Sequence, residues 1–416
     1  MAEHRGAVEL YTRLAGGEAG RGGAPTRDTA RGGTGAEGEE GIASSLLVPA
    51  GTAMTLEGPV PYAGNILDNP DIVWMDDQWT KDEEDEALRA VAGKGPHLST
   101  FWRNKYEKEA RKSWDLFYRR NAGNFFKDRH YLGKVFPELA EESEFGQNIP
   151  KRRESKSGHF APSSRGPPFP SCRAGDKVDT AGLLKGRRVT LLELGCGVGN
   201  AVFPLLEENR RLHVFAVDLS PQGIEVLKRH PMYSCGRCEA SVLDATVDDL
   251  PPSVLEGGGV DLVLLQFSLS AVAPQDMVRV AELAERALRP GGKLLFRDYG
   301  RHDEAQLRFA KGRQLGENLY VRQARNNFLA QDGTTSYFFS LEDLRRLFCG
   351  GSSGGGGGGG AGEGEAGSES GSQFGGSGGA NLIEEELSFV CRQYANRGQG
   401  VARRRVWAHG KFRKAV

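Results

Sequence analysis

The stretch Leu191–Asn200, LLELGCGVGN, carries an acid at Glu193 and glycines at 195, 197 and 199. Glycine has no Cβ, so a ligand can lie directly against the backbone of such a turn. A dinucleotide fingerprint, G-x-G-x-x-G, requires glycine at position 200, and Asn200 stands there. The pattern E-x-G-x-G-x-G suits a different ligand, S-adenosyl-L-methionine. Gly195 and Gly197 leave room for its methionine part, and Glu193 can meet its ammonium group. Two further acids close the next two apolar runs. Asp218 ends VFAVD, about 20 residues beyond the glycines, where a carboxylate accepts from ribose hydroxyls in nucleotide-binding α/β folds. Asp244 ends SVLD, placed to accept from an adenine amino group. Either aspartate alone reads as a helix N-cap. Glycines, Asp and Asp at three successive strand ends read as one cofactor site.

Those residues need strands that stop where they stand. Apolar β-type runs fall at 188–195, 212–219, 238–244, 260–268 and 293–298, separated by helix-compatible segments such as 221–229 and 274–288. Alternation at this spacing predicts an α/β fold, a parallel sheet with helices on both faces. After Ser340 a short helix is expected. Two last runs, 382–394 and 403–412, are long enough to pair as an antiparallel hairpin that closes the sheet. Ligands in such sheets bind beyond the carboxyl ends of the strands.

The rest of the 416 residues divides by composition. With 58 glycines and a mean hydropathy of -0.47, much of the chain builds no core. Residues 1–98 read as a disordered extension ending in a solvated acidic run, Asp76 to Glu86. Residues 99–140 form a basic and aromatic segment, 141–187 a basic Pro/Ser-rich linker, and 188–416 the catalytic domain. A tract over 350–380 interrupts that domain; between Gly350 and Gly379, 17 of 30 residues are glycine, and it reads as a disordered insertion.

No apolar run approaches the roughly 20 residues of a membrane span, so no membrane partner is expected. Six cysteines without regular spacing suggest a reducing compartment; Cys235 and Cys238 form one CxxC pair with no second pair nearby, and no metal site is expected. The N-terminus has no apolar core of a secretory signal. A cytoplasmic location is expected, with the nucleus also open. Arginines recurring through Arg31 leave an organellar address open as well, against which Glu3, Glu9 and Glu18 argue.

Residues 101–136 hold ten Lys/Arg, four Asp/Glu and ten aromatic residues. Cations interleaved with rings suit a nucleic-acid strand, where charges meet phosphates and rings stack on unpaired bases. Trp114, Phe117 and Tyr118 also define one helical face that packs inward. A second basic segment, Arg392 to Lys414, has eight Lys/Arg and no acid.

The segments SWDLFYRRNAGNFFKDRHYL, LELGCGVGNAVFPLL, LSAVAPQDM, LRPGGKLLFRDYGRHDEAQLRF, NLYVR, DGTTSYFF and NRGQGVARRRVWAHGKF together resemble the eukaryotic tRNA 3-methylcytidine methyltransferases. The resemblance implies a Rossmann-like class I methyltransferase fold, a mostly parallel seven-stranded sheet with an antiparallel C-terminal strand. It implies S-adenosyl-L-methionine as cofactor and the anticodon stem-loop of tRNA as partner, methylated at N3 of a cytidine. Trp114 and Tyr118 then help enclose the cofactor, and the strand-four residue that meets adenine, aliphatic in the family, is Gln266 here. The extra ARNNFLAQ after YVR is a further departure.

Neutral cytosine presents a free lone pair at N3, so methyl transfer needs no strong base and depends on proximity. Asp298 of RDYG is the candidate for stabilising the cationic product; the alternative is a structural partner for Arg297 or Arg301. RNA contacts are expected from Lys127, Arg129 and His130, from Arg297, Arg301 and Arg322, and from Arg403 and Arg405. An aminoacyl-tRNA synthetase or another tRNA-presenting protein is a candidate second partner. Two other readings compete: a catalytically silent RNA-binding adaptor, and a methyltransferase acting on a small molecule or protein.

Overall fold

A computed structural model describes residues 67, 74–121, 125–141, 187–322, 333–350, 374, 378–398 and 400–416, all within one unit, Gly64–Val416. Most of the expected linker and of the glycine tract, the segment 323–332 that holds ARNNFLAQ, and the chain before residue 67 lie outside the described residues.

In chain order the elements are β1 (Trp74–Asp77), α1 (Lys81–Ala92), α2 (Thr100–Lys108), α3 (Ala110–Asn121), α4 (Leu132–Val135), β2 (Val189–Leu194), α5 (Val202–Glu208), β3 (Leu212–Asp218), α6 (Pro221–Lys228), β4 (Cys238–Val242), α7 (Pro252–Leu255), β5 (Val260–Gln266), α8 (Pro274–Ala287), β6 (Leu288–Tyr299), α9 (Glu304–Leu307), β7 (Gln314–Gly316), β8 (Leu319–Val321), β9 (Thr335–Tyr337), α10 (Leu341–Phe348), β10 (Leu382–Asn396) and β11 (Val401–Lys414). Eight strands form one sheet in the order β1-β10-β11-β6-β5-β2-β3-β4, and β7-β8-β9 form a small second sheet. Pairing is parallel from β6 through β5, β2 and β3 to β4, and antiparallel where β11 meets β6 and β10. The strand order reverses between β2 and β5, and their carboxyl ends open the crevice in which ligands of such sheets bind.

The central strands are apolar throughout because both faces are covered: every residue of β3 and β5 is buried. Their side chains alternate between two cores, as a period of two requires. Leu192, Leu194, Val217, Val263, Leu265 and Phe296 pack with α8 and α10 on one face. Leu191, Val214, Ala216, Leu262, Leu264 and Leu295 pack with α4, α5 and α6 on the other. The helices start where local chemistry dictates. Ser220 caps α6 by accepting from Gly223 N–H, with Pro221 at the first helical position, and Ser340 with Asp343 forms a capping box on α10.

The seven strands expected from the sequence are present, and an eighth is added. The extension expected to be disordered to residue 98 is instead ordered from Trp74: β1 pairs with the edge strand β10, and α1 follows. The acidic run is not simply solvated. Asp76 reaches Arg392 at 2.8 Å, and Arg404 is bound by Asp77 and by Glu83 at 2.6 Å, with its guanidinium 5.2 Å from the Trp79 ring. Thr80 and Glu83 close a capping box on α1. The acids find order because a basic hairpin some 300 residues later in the chain supplies their partners. Arg404 is therefore a stability determinant. Arg404→Ala should lower unfolding free energy by roughly 1–3 kcal/mol, the sum of a partly buried two-acid ion pair and a cation–π contact. Chemical denaturation measures it, and an unchanged midpoint would contradict the clamp.

Candidate active site at the carboxyl edge of the sheet

After Leu194 the chain turns through Gly195 and Gly197 with φ of +79° and +57°, a left-handed course that glycine takes without strain. Space forbids side chains as well. A Cβ at 195 would stand 2.5 Å from Ser268 Cβ, and one at 197 would stand 2.8 Å from Tyr118 Oη. The turn is pinned from β3: Asp218 accepts from Gly197 N–H at 2.8 Å through one oxygen and from Ser220 N–H at 2.9 Å through the other.

Beside the turn lies a cavity of about 240 Å³. Its wall includes Gly195, Asp218, Asp244, Trp114 and Tyr118 among the residues expected at the cofactor, together with Leu265, Phe267 and Ser268; Glu193 and Gly197 stand beside it without lining it. Trp114 and Tyr118 stack at 5.8 Å on one face of α3. Asp244 is held by Thr246, which donates its N–H at 3.1 Å and its hydroxyl to one carboxylate oxygen, leaving the other directed elsewhere. The cap-like geometry and the place on the cavity wall coexist.

Glu193 lies behind the turn and is 3 % exposed, with Oε2 lacking any hydrogen-bond partner. Burial pushes its carboxyl up to about 8, with Arg129 pulling down and Asp218 pushing up. Asp218 rises to about 6 by burial, against its two backbone donors. A buried orphan acid behind a bare turn fits the ammonium of an amino-acid moiety, and Asp218 fits a diol. These groups suit S-adenosyl-L-methionine, which Glu193, Asp218, Asp244 and the Trp114–Tyr118 stack would hold.

Gln266 departs from expectation. It lies on the opposite face of β5 from Leu265 and so is absent from the cavity wall; its Nε2 donates to Tyr131 Oη at 3.2 Å. The neighbours Leu265 and Phe267 line the cavity instead, as alternation along a strand requires. Asp298 is also corrected. It is fully buried, it accepts from the backbone N–H groups of Ser270 at 2.9 Å and Tyr299 at 2.8 Å, and it pairs with neither Arg297 nor Arg301. Burial raises it to about 6. Its role is to fasten the turn after β5 to β6, not to stand at the pocket mouth.

The expected RNA-binding residues divide. Lys127 and His130 are exposed, His130 lying 3.5 Å from Glu208. Arg129 turns inward and places its guanidinium 5.1 Å from the Phe267 ring. Arg297 is 4 % exposed, lies 4.7 Å from the Trp407 ring, and is brought down to about 10 by burial. Arg301 lies 3.9 Å from Glu317, and Arg322 donates to Ser336 Oγ and covers the Tyr299 ring at 5.4 Å. Arg403 and Arg405 do not form an open basic strip. Arg403 is taken by Glu304 at 2.6 Å and Arg405 by buried Asp303 at 2.8 Å, while Arg405 also reaches the rings of Tyr299 and Trp407.

Sequence reasoning missed the group these arginines surround. Phe267 holds φ of +53°, an uncommon backbone for a bulky residue and one that clusters at functional sites. Its ring meets Tyr299 at 5.1 Å and Trp407 at 6.4 Å. Phe267 belongs both to the cavity wall and to this aromatic cluster.

The Glu193 shift carries a sign. Its folded pKa lies above the ordinary value of 4.5, so the folded state binds the proton more tightly; the resulting stability is full below pH 4.5 and is lost as pH rises through about 8. Glu193→Gln should therefore flatten the decline of cofactor-free stability between those limits. It should also weaken S-adenosyl-L-methionine by roughly 1.5–3 kcal/mol, through loss of a charge-assisted bond. Thermal unfolding against pH and calorimetric titration check both; a variant that binds cofactor like wild type contradicts the assignment.

A family model described as a methyltransferase domain matches residues 192–294, from within β2 to within β6. The tRNA N(3)-cytidine methyltransferase METTL6 of Mus musculus is 38 % identical over 336 residues, 80 % of this chain and 89 % of that one. METTL6 of Homo sapiens is 41 % identical over 60 % of this chain and 72 % of its own length. METTL2 of Mus musculus is 33 % identical over 88 % and 93 %. With relatives 33–41 % identical that match over 72–93 % of their own length, this chain belongs to the tRNA N(3)-cytidine methyltransferase family.

Proposed function

We propose that this protein transfers the methyl group of S-adenosyl-L-methionine to N3 of a cytidine in the anticodon loop of tRNA. The observation that carries the reading is the shared wall. Phe267 lines the cofactor cavity, and its ring joins Tyr299 and Trp407 under the guanidinium groups of Arg129, Arg297, Arg322 and Arg405. Rings that offer faces, ringed by planar donors, suit one extruded base and its phosphates. A small-molecule acceptor explains the cavity without explaining the cluster. A silent adaptor leaves the cost of the buried, unpartnered Glu193 without a use.

The chemistry asks little of the protein beyond placement. The cofactor supplies an electrophilic methyl group when bound. N3 carries a lone pair and no proton, so no side chain has to remove one, in keeping with Asp298 being saturated by backbone donors. The enclosing residues exclude water and orient the base, which is where the rate arises. From Lys108 and Arg111 at the cavity rim, exposed cations continue through Lys112, Arg119, Arg120 and Lys127 along α3 and the loop after it, a surface suited to the stem's phosphates. Presentation of the tRNA by a synthetase or another protein is compatible with this surface and is part of the proposal.

Purified protein incubated with labelled cofactor and bulk tRNA should yield 3-methylcytidine on nucleoside mass spectrometry, with an isolated anticodon stem-loop carrying the mark when its loop holds cytidine. Arg119→Glu/Arg120→Glu should weaken tRNA binding about tenfold or more at low salt and flatten its salt dependence, with cofactor affinity unchanged. Methylation confined to small acceptors would overturn the reading.

A further inference from the structure

Asn200 is the residue that departs from the dinucleotide pattern, and neither the cofactor cradle nor the aromatic cluster uses it. Its side chain and backbone bind one segment of chain, the loop between α3 and α4. Nδ2 donates to the Phe126 carbonyl at 3.1 Å and to the Asp128 carboxylate at 3.0 Å, and the Asn200 carbonyl accepts from Arg129 N–H at 2.9 Å. Below these bonds, Phe125 and Phe126 pack with Phe117, Tyr118 and Val198, and Val198 belongs to the glycine turn. The loop is thus fastened to the turn by three hydrogen bonds and an aromatic cluster. The cation it sends toward the cavity is Arg129, which rests over Phe267 and donates to Tyr131 Oη at 3.4 Å.

We propose that Asn200 is a positioning residue: it fixes the loop 125–131 to the cofactor turn so that Arg129 is held over Phe267, where it faces the acceptor base. A glycine at position 200 would complete the dinucleotide fingerprint but would lose both side-chain bonds. An asparagine is required because two acceptors, a carbonyl and a carboxylate, must be met by one NH₂ group. The electrostatics agree with the geometry: Arg129 is the cation that acts on buried Glu193, Asp298 and Tyr118, lowering each against its burial. Displacing it would therefore disturb the cradle and the acceptor cluster together.

The inference rests on the tRNA reading for its activity arm only. Four proteins are compared: wild type, Asn200→Ala, Arg129→Ala and the double variant. In cofactor-free protein, Asn200→Ala should speed hydrogen exchange of the 125–131 amides on the order of tenfold, with β2 and β3 amides unchanged. Turnover on tRNA should fall on the order of tenfold to a hundredfold in either single variant, as misplacement of a positioned group does. The double variant should lose no more than about twofold beyond Arg129→Ala, because Asn200 acts through that arginine. Unchanged loop exchange in Asn200→Ala, or losses that multiply in the double variant, overturns the proposal. Exchange that responds as expected while wild type methylates no tRNA supports the positioning role and removes the tRNA reading alone.

Discussion

The hydrogen bond from Gly197 N–H to Asp218 joins the ends of the two central strands, β2 and β3, and fixes the reversal of the chain between them. The reversal is possible only with glycine backbone, because Ser268 and Tyr118 already occupy the positions a Cβ would take. This close approach has three consequences. It brings the turn after β5 against the turn after β2, it seats α3 on the glycines through Tyr118, and it aims Asp218 at the cavity. Asn200 then carries the same rigidity outward to the loop that holds Arg129.

The buried charges in this protein fall into two kinds, and the contrast locates the function. Asp261 is fully buried and is met by Arg187, Arg289 and the amide and hydroxyl of Thr190. Asp298 and Asp303 are likewise saturated. Such groups lock structure. Glu193 is as deeply buried, yet one of its oxygens has no partner, and Arg297 sits in the interior against an indole face with no ion pair among the described residues. An unsatisfied buried polar group costs several kcal/mol of folding free energy. A ligand that brings a cation to Glu193 and acceptor atoms to the arginines offsets that cost, so binding and stability are linked at this edge of the sheet.

How much of this was legible in the chain depended on how local each signal was. The strand ends carrying Glu193, Gly195, Asp218 and Asp244 were readable because each consists of an apolar run and the residue that stops it. The cofactor stack of Trp114 and Tyr118 came from the family resemblance, and the structure places both on the cavity wall. Gln266 was misplaced by one position, and in a strand one position changes the face. Arg403 and Arg405 are expected at RNA from sequence because their partners, Glu304 and Asp303, are distant in the chain. The same distance hid the order of the acidic segment. The aromatic cluster was invisible for a related reason: Phe267 just beyond β5, Tyr299 at the end of β6 and Trp407 in β11 are distant in the chain, and only the sheet order brings them together.

The central claim is that one turn joins the cofactor to the acceptor base, and a crystal structure of the protein with S-adenosylhomocysteine and an anticodon stem-loop tests it most directly. The account predicts the amino group of the cofactor at Glu193 and its ribose at Asp218. It further predicts an extruded cytosine against Phe267, Tyr299 and Trp407, with Arg129 on the same side and the loop still fastened to Asn200. A cytosine lodged elsewhere on the protein, or a cofactor whose amino group ignores Glu193, would contradict it.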